Sequence, residues 1–326
     1  MDPTMLQRLG FALLCLLPLA AFAQTAPRVL LDTDRGPILL ELDNVNTPRT
    51  TANFLSYVDD GSYNNTLFHR IVPNFVVQAG AADARFQAIR AKPSIASERR
   101  PAPSNLRGTL AMALASNQFT GAALRDSATS SFFINTRDNA NLDPDFTVFG
   151  RVVHGMGVVD QLNAEPIFPN STDSPVRYPL IKRAVRTTGF PILDLHAGSW
   201  FDPDKSGRGF VVEVAQSAPG TATGDQPLLI VYWYDYFEGQ QIWMNGAQSF
   251  AWGASEVTVS LQRTSGGQFG AAFAPGQVQA DRNWGRVTVK FSGCDRGQFR
   301  FESSYGNGEY NLQRITVPTA SRCSAN

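Results

Sequence analysis

Pro73 breaks an apolar stretch, Phe68-His69-Arg70-Ile71-Val72-Pro73-Asn74-Phe75-Val76-Val77-Gln78-Ala79-Gly80, and the break limits what this part of the chain can become. Proline lacks the N–H that a ladder needs, and Pro-Asn favours a turn. An unbroken strand would put Arg70, Val72, Asn74, Val76 and Gln78 on one face by simple alternation. With the break, the stretch reads strand, turn, strand, and the turn brings Arg70 and Gln78 back towards each other. Phe75 supplies a large apolar face between them. A fixed cation, an amide and an aromatic ring held together can grip a peptide group beside a hydrophobic ring.

The flanking segments point to short strands and two helices. Val29–Thr33 and Pro37–Leu42 are apolar runs around Asp34-Arg35-Gly36, a hairpin signal. Thr47-Pro48 reads as a helix N-cap followed by proline in the first turn, and Thr51, Phe54, Leu55 and Val58 form a helical stripe that Gly61 ends. Residues 81–107 are polar and without a strong period, either a long surface loop or an unstructured spacer. Thr109–Ala113 and Phe132–Asn135 read as short strands joined by a loop of small residues. Met156–Leu162 reads as a second helix and Ile181–Val185 as a further strand. Many short strands with two helices suit a closed barrel.

The motif Phe68-His69-Arg70-Ile71-Val72-Pro73-x-Phe75-x-x-Gln78-x-Gly80 resembles the signature of the cyclophilins, which are peptidyl-prolyl cis-trans isomerases. Its companions follow in order: Arg107-Gly108-Thr109-Leu110-Ala111-Met112-Ala113, Ser130-Ser131-Phe132-Phe133-Ile134-Asn135, Asn141-Leu142-Asp143 and Phe146-Thr147-Val148-Phe149-Gly150-Arg151-Val152. The resemblance covers roughly residues 28 to 188. It implies a mainly β fold, a closed eight-stranded barrel capped by two helices, with Arg70 as the catalytic residue. It assigns the proline pocket to Phe75, Val76, Phe133 and Leu142, a hydrogen bond to the substrate backbone to Gln78, and the groove for the preceding residue to Ala113. His69 matches the motif without an acid–base task. Asn141 stands where many eukaryotic members carry tryptophan, the indole that contacts cyclosporin. Phe146 stands beside the pocket where they carry histidine, and Ser131 replaces a frequent glutamine. The implied partners are proline-containing unfolded or flexible polypeptides, and no cofactor is implied. The rival reading is a chaperone or envelope adaptor that grips proline-containing segments with incidental catalysis.

The ends and the second half read separately. Arg8, the apolar run Leu9–Ala20 and Ala21-Phe22-Ala23 form an export signal over residues 1–23, too short to be a membrane span. A periplasmic or secreted mature chain with no membrane span is therefore expected. The 28 basic and 28 acidic side chains balance, which gives no basic stripe for nucleic acid. Beyond residue 188 the composition changes, and all five tryptophans, at 200, 233, 243, 252 and 284, lie there. Alternation at Val257/Val259/Leu261, Val287/Val289/Phe291, Phe299/Phe301 and Tyr310/Leu312 predicts a separate antiparallel β domain over 189–317, followed by a tail over 318–326. Trp200-Phe201-Asp202-Pro203 and Gly207-x-Gly209-Phe210 resemble an uncharacterised β module of exported proteobacterial proteins, which implies no activity.

Cys294 and Cys323 either pair as a structural disulfide in an oxidising compartment or stay as buried thiols. Three scattered histidines and the absence of Cys-x-x-Cys give no zinc pattern. Asp202, Asp204, Ser206 and Glu213 formally fit a calcium loop, but strand-like flanks and Gly209 favour a polar turn. In Tyr232-Trp233-Tyr234-Asp235-Tyr236-Phe237, alternation puts the tyrosines on one face and Trp233 and Phe237 on the other. One face is core, and the other is open to a glycan or an envelope partner.

Overall fold

In β1 (Arg28–Thr33) and β2 (Gly36–Leu42) every second side chain is aliphatic and enters a core, so the hairpin assembles with one face already dry. The computed structural model describes residues 26–216 and 226–316; the expected export signal, the tail and Cys323 lie outside them. The two strands pair with Thr33 opposite Gly36, and the Thr33 hydroxyl donates to the Gly36 carbonyl at 2.6 Å. Helix α1 (Pro48–Asp59) buries Thr51, Phe54, Leu55 and Val58, the stripe read from the sequence. Thr47 occupies the N-cap position, but its hydroxyl donates backwards to the Asp43 carbonyl. The capping work passes to Glu98 of the long loop, which accepts from the backbone N–H groups of Arg49 and Thr50 at 3.1 and 2.7 Å. A carboxylate at the positive end of a helix is favourable by about 0.3–1 kcal/mol.

The other strands of the first unit are β3 (Thr66–Leu67), β4 (Arg70–Val72), β5 (Val76–Ala79), β6 (Thr109–Met112), β7 (Phe132–Asn135), β8 (Val148–His154) and β9 (Leu180–Thr187). They form one sheet in the order β3-β9-β1-β2-β8-β6-β7-β5-β4. Its two outermost strands, β3 and β4, are halves of one bent segment separated by Phe68 and His69. The ends of the sheet are thus covalently joined, and the sheet closes as an eight-stranded barrel. Phe54, Tyr63, Phe68, Phe132 and Phe149 fill it with α1 packed over them. Helix α2 (Met156–Asn163) buries Val158, Val159 and Leu162. The loop over 81–107 is pinned to the barrel by Thr66↔Asp83 and to the following loop by Ile95↔Ala128, so it is a packed loop and not a spacer.

The second unit goes further than the expected antiparallel domain. Strands β10 (Gly198–Phe201), β11 (Gly209–Gln216), β12 (Pro227–Phe237), β13 (Gln240–Ser249), β14 (Glu256–Ser265), β15 (Gln279–Phe291), β16 (Arg296–Ser303) and β17 (Gly306–Arg314) form a closed barrel in sequence order. Closure comes from Trp200↔Arg314 and Phe201↔Gln313. Trp200, Phe210, Trp233, Trp284, Phe291 and Phe299 fill the interior. No helix of the described residues is long and apolar enough to cross a membrane.

The segment between the barrels is packed against both of them. Leu30, facing outward from β1, is fully buried beneath Leu193 and Leu195, with Val185 and Phe190 alongside. The Arg183 guanidinium lies 4.1 Å from the Trp252 ring, and the Thr188 and Ser255 hydroxyls are 3.0 Å apart. Gly253 (φ +85°) lies so close to the Arg186 carbonyl that a Cβ there would sit 2.6 Å from it. Only glycine fits that approach.

Candidate active site

Strand register builds the site. Arg70 stands opposite Gln78, Gln78 opposite Phe133, Phe133 opposite Ala111 and Ala111 opposite Val148. Directly opposed residues share a face, so this row crosses the outside of the barrel while Ile71, Val77, Ile134 and Leu110 point into its core. The turn at Pro73 that makes the row possible holds Asn74 at φ +54°. Asn163 at the end of α2 secures it, accepting from the Asn74 N–H and donating to the Val72 carbonyl, each at 2.9 Å.

Val76, Ala111, Phe133 and Val148 make a small buried cluster on this outer face, with Val72, Phe75, Ala113, Leu142 and Phe146 packed partly exposed around it. Phe133 and Phe146 meet edge to face at 5.5 Å. Such an apolar depression suits a pyrrolidine ring. The site residues expected from the sequence at 70, 75, 76, 78, 113, 133, 142 and 146 therefore converge. His69 does not join the cluster. It is half-buried with Nδ1 unpartnered, and burial holds its pKa below the usual imidazole range.

At the edge of the depression the Arg70 Nε–H donates to Asp173 Oδ2 at 2.8 Å and Nη1 donates to Gln78 Oε1 at 3.2 Å. Arginine has no acceptor, so Gln78 must present its oxygen here. The Arg70 Nη2 group and the Gln78 Nε2 group have no partner among the described residues and remain available to a substrate.

An amide network that the sequence did not reveal fixes the pocket's rim. Asn139 Nδ2 donates to the Phe75 carbonyl at 2.9 Å and to Asn135 Oδ1 at 2.8 Å. Asn135 donates on to Thr109 Oγ1, and Asp143 accepts from both the backbone and the side chain of Asn105. Burial pushes the Asp143 carboxyl up, but the Ser104 and Asn105 hydrogen bonds overcome it and leave the group below the usual aspartate range. These bonds anchor the short helical turn Ala140–Leu142, which presents Leu142 to the pocket and leaves Asn141 exposed. Asn135 ends a motif segment at an outward strand position, which was the available signal; Asn139 lies between the motif segments and gave none. Asp173 gave none.

The calcium-loop residues do not converge. Lys205 pairs with Asp202 at 3.3 Å, the Asp204 N–H donates to Asp202 Oδ1, and Glu213 lies in mid-β11 opposite Ile230. Among the described residues no group of three or more potential metal ligands occurs. Cys294 lies with its sulfur 3.9 Å from the His154 ring nitrogens, and pairing with Cys323 involves a residue outside those described.

The profile of the family described as cyclophilin type peptidyl-prolyl cis-trans isomerase/CLD matches residues 28–185. Peptidyl-prolyl cis-trans isomerase A of Dickeya dadantii is 40% identical over 169 residues, covering 49% of this chain and 85% of that protein. A peptidyl-prolyl cis-trans isomerase of Acinetobacter baylyi is 40% identical over 167 residues, covering 50% and 85%. Peptidyl-prolyl cis-trans isomerase B of Escherichia coli is 36% identical over 142 residues, covering 41% and 82%. A solved cyclophilin-type isomerase of Cryptosporidium parvum superposes with a TM-score of 0.43 at 22% identity, over 50% of this chain and 99% of that one. The chain belongs to the cyclophilin-type peptidyl-prolyl cis-trans isomerases.

Proposed function

We propose that residues 28–188 catalyse rotation about Xaa-Pro bonds in exported polypeptides, with Arg70 as the catalytic residue. Amide resonance sets a barrier of about 18–20 kcal/mol to that rotation. Lowering it needs no nucleophile, metal or redox centre, only a site that binds the twisted amide better than either planar form. In the twisted amide the prolyl nitrogen becomes pyramidal and regains a lone pair. A guanidinium at the edge of the proline pocket donates to that lone pair and finds no such acceptor in the ground state.

The cluster of Val76, Phe133, Phe75, Leu142 and Phe146 takes the proline ring, Ala113 borders the groove for the preceding residue, and the Gln78 amide donates to a backbone carbonyl. His69, although part of the motif, has no acid–base task in this mechanism. The observation that carries this reading is the register row that sets Arg70, doubly held, against the apolar depression. The export signal read at residues 1–23 supports an activity in the periplasm or outside the cell. The experiment is an Arg70→Ala variant assayed for turnover and for client capture. Loss of one preorganised donor lowers turnover by roughly 10²–10³-fold. A chaperone or adaptor would keep its function in the variant.

For the second barrel, residues 189–317 with the tail 318–326, a binding role rests on its outer face. Tyr234 and Trp243 stand directly opposite, 40% and 44% exposed, with Tyr236 beside them at 51%. Gly209 opposes Tyr234 on its other side and leaves the ring's flank uncovered. Gln241 and Asn245 adjoin the rings, so flat apolar faces and amides lie together without a charge among them. That chemistry fits a neutral envelope glycan. A soluble-glycan pull-down with the whole protein should retain the glycan, and Trp243→Ala should lose it. Equal retention by both would remove this role.

A further inference from the structure

Asp173 comes from the loop between α2 and β9, 103 positions beyond Arg70, and its carboxylate is the nearest fixed partner of the Arg70 guanidinium. We infer that Asp173 is a positioning residue for the isomerase reaction, holding the guanidinium by its Nε–H so that Nη2 is left to meet the twisted prolyl nitrogen. The inference rests on the reading of residues 28–188 as an isomerase and concerns how its arginine is aimed.

An arginine side chain is long and flexible, and a single hydrogen bond from Nη1 to Gln78 would leave the fork free to swing about that contact. A second bond at Nε, from a different element, fixes the plane of the group. The two partners approach from β5 and from the 164–179 loop, so the fork is held between two parts of the chain. Without Asp173, Gln78 would be the only described partner of Arg70.

The loop is built to hold that carboxylate still. The Asp173 carbonyl accepts from the Ile71 N–H at 2.8 Å, which ties the loop to β4 one residue past Arg70. Ser171 Oγ accepts from the Asp173 and Ser174 N–H groups at 3.2 and 2.9 Å and lies 3.3 Å from Asp173 Oδ1. Phe168 and Ser174, and Pro166 and Val176, are joined by further backbone bonds. All but one of these contacts are independent of the Asp173 side chain, so a side-chain substitution leaves the loop anchored.

Charge and position make different demands. The Arg70 and Asp173 side chains are 40% and 34% exposed, so water screens their Coulomb attraction. A geometric role survives replacement by asparagine, whose amide oxygen still accepts the Nε–H; a charge role does not. Misplacing a catalytic group costs up to about 100-fold, and a roughly tenfold loss is expected when one of two tethers goes.

The experiment measures kcat and KM for a Xaa-Pro peptide with the wild type, Asp173→Ala and Asp173→Asn, alongside the Arg70 Nε–H resonance by NMR. The expected result is a roughly tenfold fall in kcat with little change in KM for Asp173→Ala, and near wild-type turnover for Asp173→Asn. The Arg70 Nε–H signal should be protected in the wild type and Asp173→Asn and exchange rapidly in Asp173→Ala. Wild-type turnover in both variants, or an equal loss in both, would overturn the positioning role. An inactive but folded wild type would instead sink the isomerase reading, and a protected Nε–H signal lost in Asp173→Ala would then still support the tether.

Discussion

His196 shows how completely burial can settle the state of one side chain. Its ring stacks on Phe291 at 3.9 Å, Nδ1 accepts from the Leu193 N–H at 3.0 Å, and Nε2 lies 3.2 Å from the Gly293 carbonyl. That pattern calls for the neutral Nε2–H tautomer, and burial lowers its pKa to about 3. The folded value lies below the unfolded one, so the fold takes up fewer protons in acid than the unfolded chain. The stabilisation from keeping His196 neutral is full above the unfolded pKa and is lost as pH falls from about 6.5 towards 3, at up to about 1.4 kcal/mol per pH unit. Burial shifts His69 and His154 in the same direction. Urea unfolding followed by tryptophan fluorescence should therefore show lower stability at pH 5 than at pH 7, above the range where carboxylates titrate. A pH-independent midpoint across that interval would contradict the buried neutral state. At this scale the sequence was informative wherever a residue's role follows from its type and near neighbours. The approach of Arg70 to Gln78 was legible in that way, whereas Phe133 was picked out only by the family resemblance. Asp173 was not legible, because a carboxylate in a loop without period carries no mark of the arginine it reaches.

Elements were legible in proportion to how local their causes are. Pro73 forced the turn that sets Arg70 against Gln78, and the register confirms the pairing. In β12 the alternation put Trp233 inside at 2% exposure and left Tyr234 and Tyr236 outside. Phe237 follows Trp233's face and stacks on Tyr305 at 3.8 Å. The N-terminus of α1 was read at the right residue and with the wrong chemistry, because its cap comes from Glu98, some fifty residues onward. Closure of the second barrel was not legible either. Alternation tells which side chains of β10 and β17 point inward, but it does not say that Trp200 lies opposite Arg314. Pairing partners far apart in the chain are set by the whole sheet.

At the scale of the molecule, the two barrels share a dry junction and are more than beads on a linker. Leu30, Leu193 and Leu195 are buried together, and Trp252 of the second barrel is covered by Arg183 of the first. A cation over an indole contributes roughly 0.5–2 kcal/mol, and the ring's burial adds to it. Trp252→Ala should therefore loosen the junction. All five tryptophans belong to the second unit, so fluorescence reports that barrel while turnover reports the first. The two signals should be lost together in urea for the wild type and separately for Trp252→Ala. Separate transitions in the wild type would mean that the junction transmits no stability.

The proposed role of the first barrel is to speed bond rotation through a held guanidinium. It is tested most directly by cis–trans exchange of a Xaa-Pro peptide, measured by NMR with a small fraction of an equivalent of the protein. The wild type should accelerate exchange, and Arg70→Ala, folded and at the same concentration, should leave it close to the uncatalysed rate of tens to hundreds of seconds. Equal acceleration by both proteins would contradict the role of Arg70. No acceleration by the folded wild type would contradict the isomerase itself.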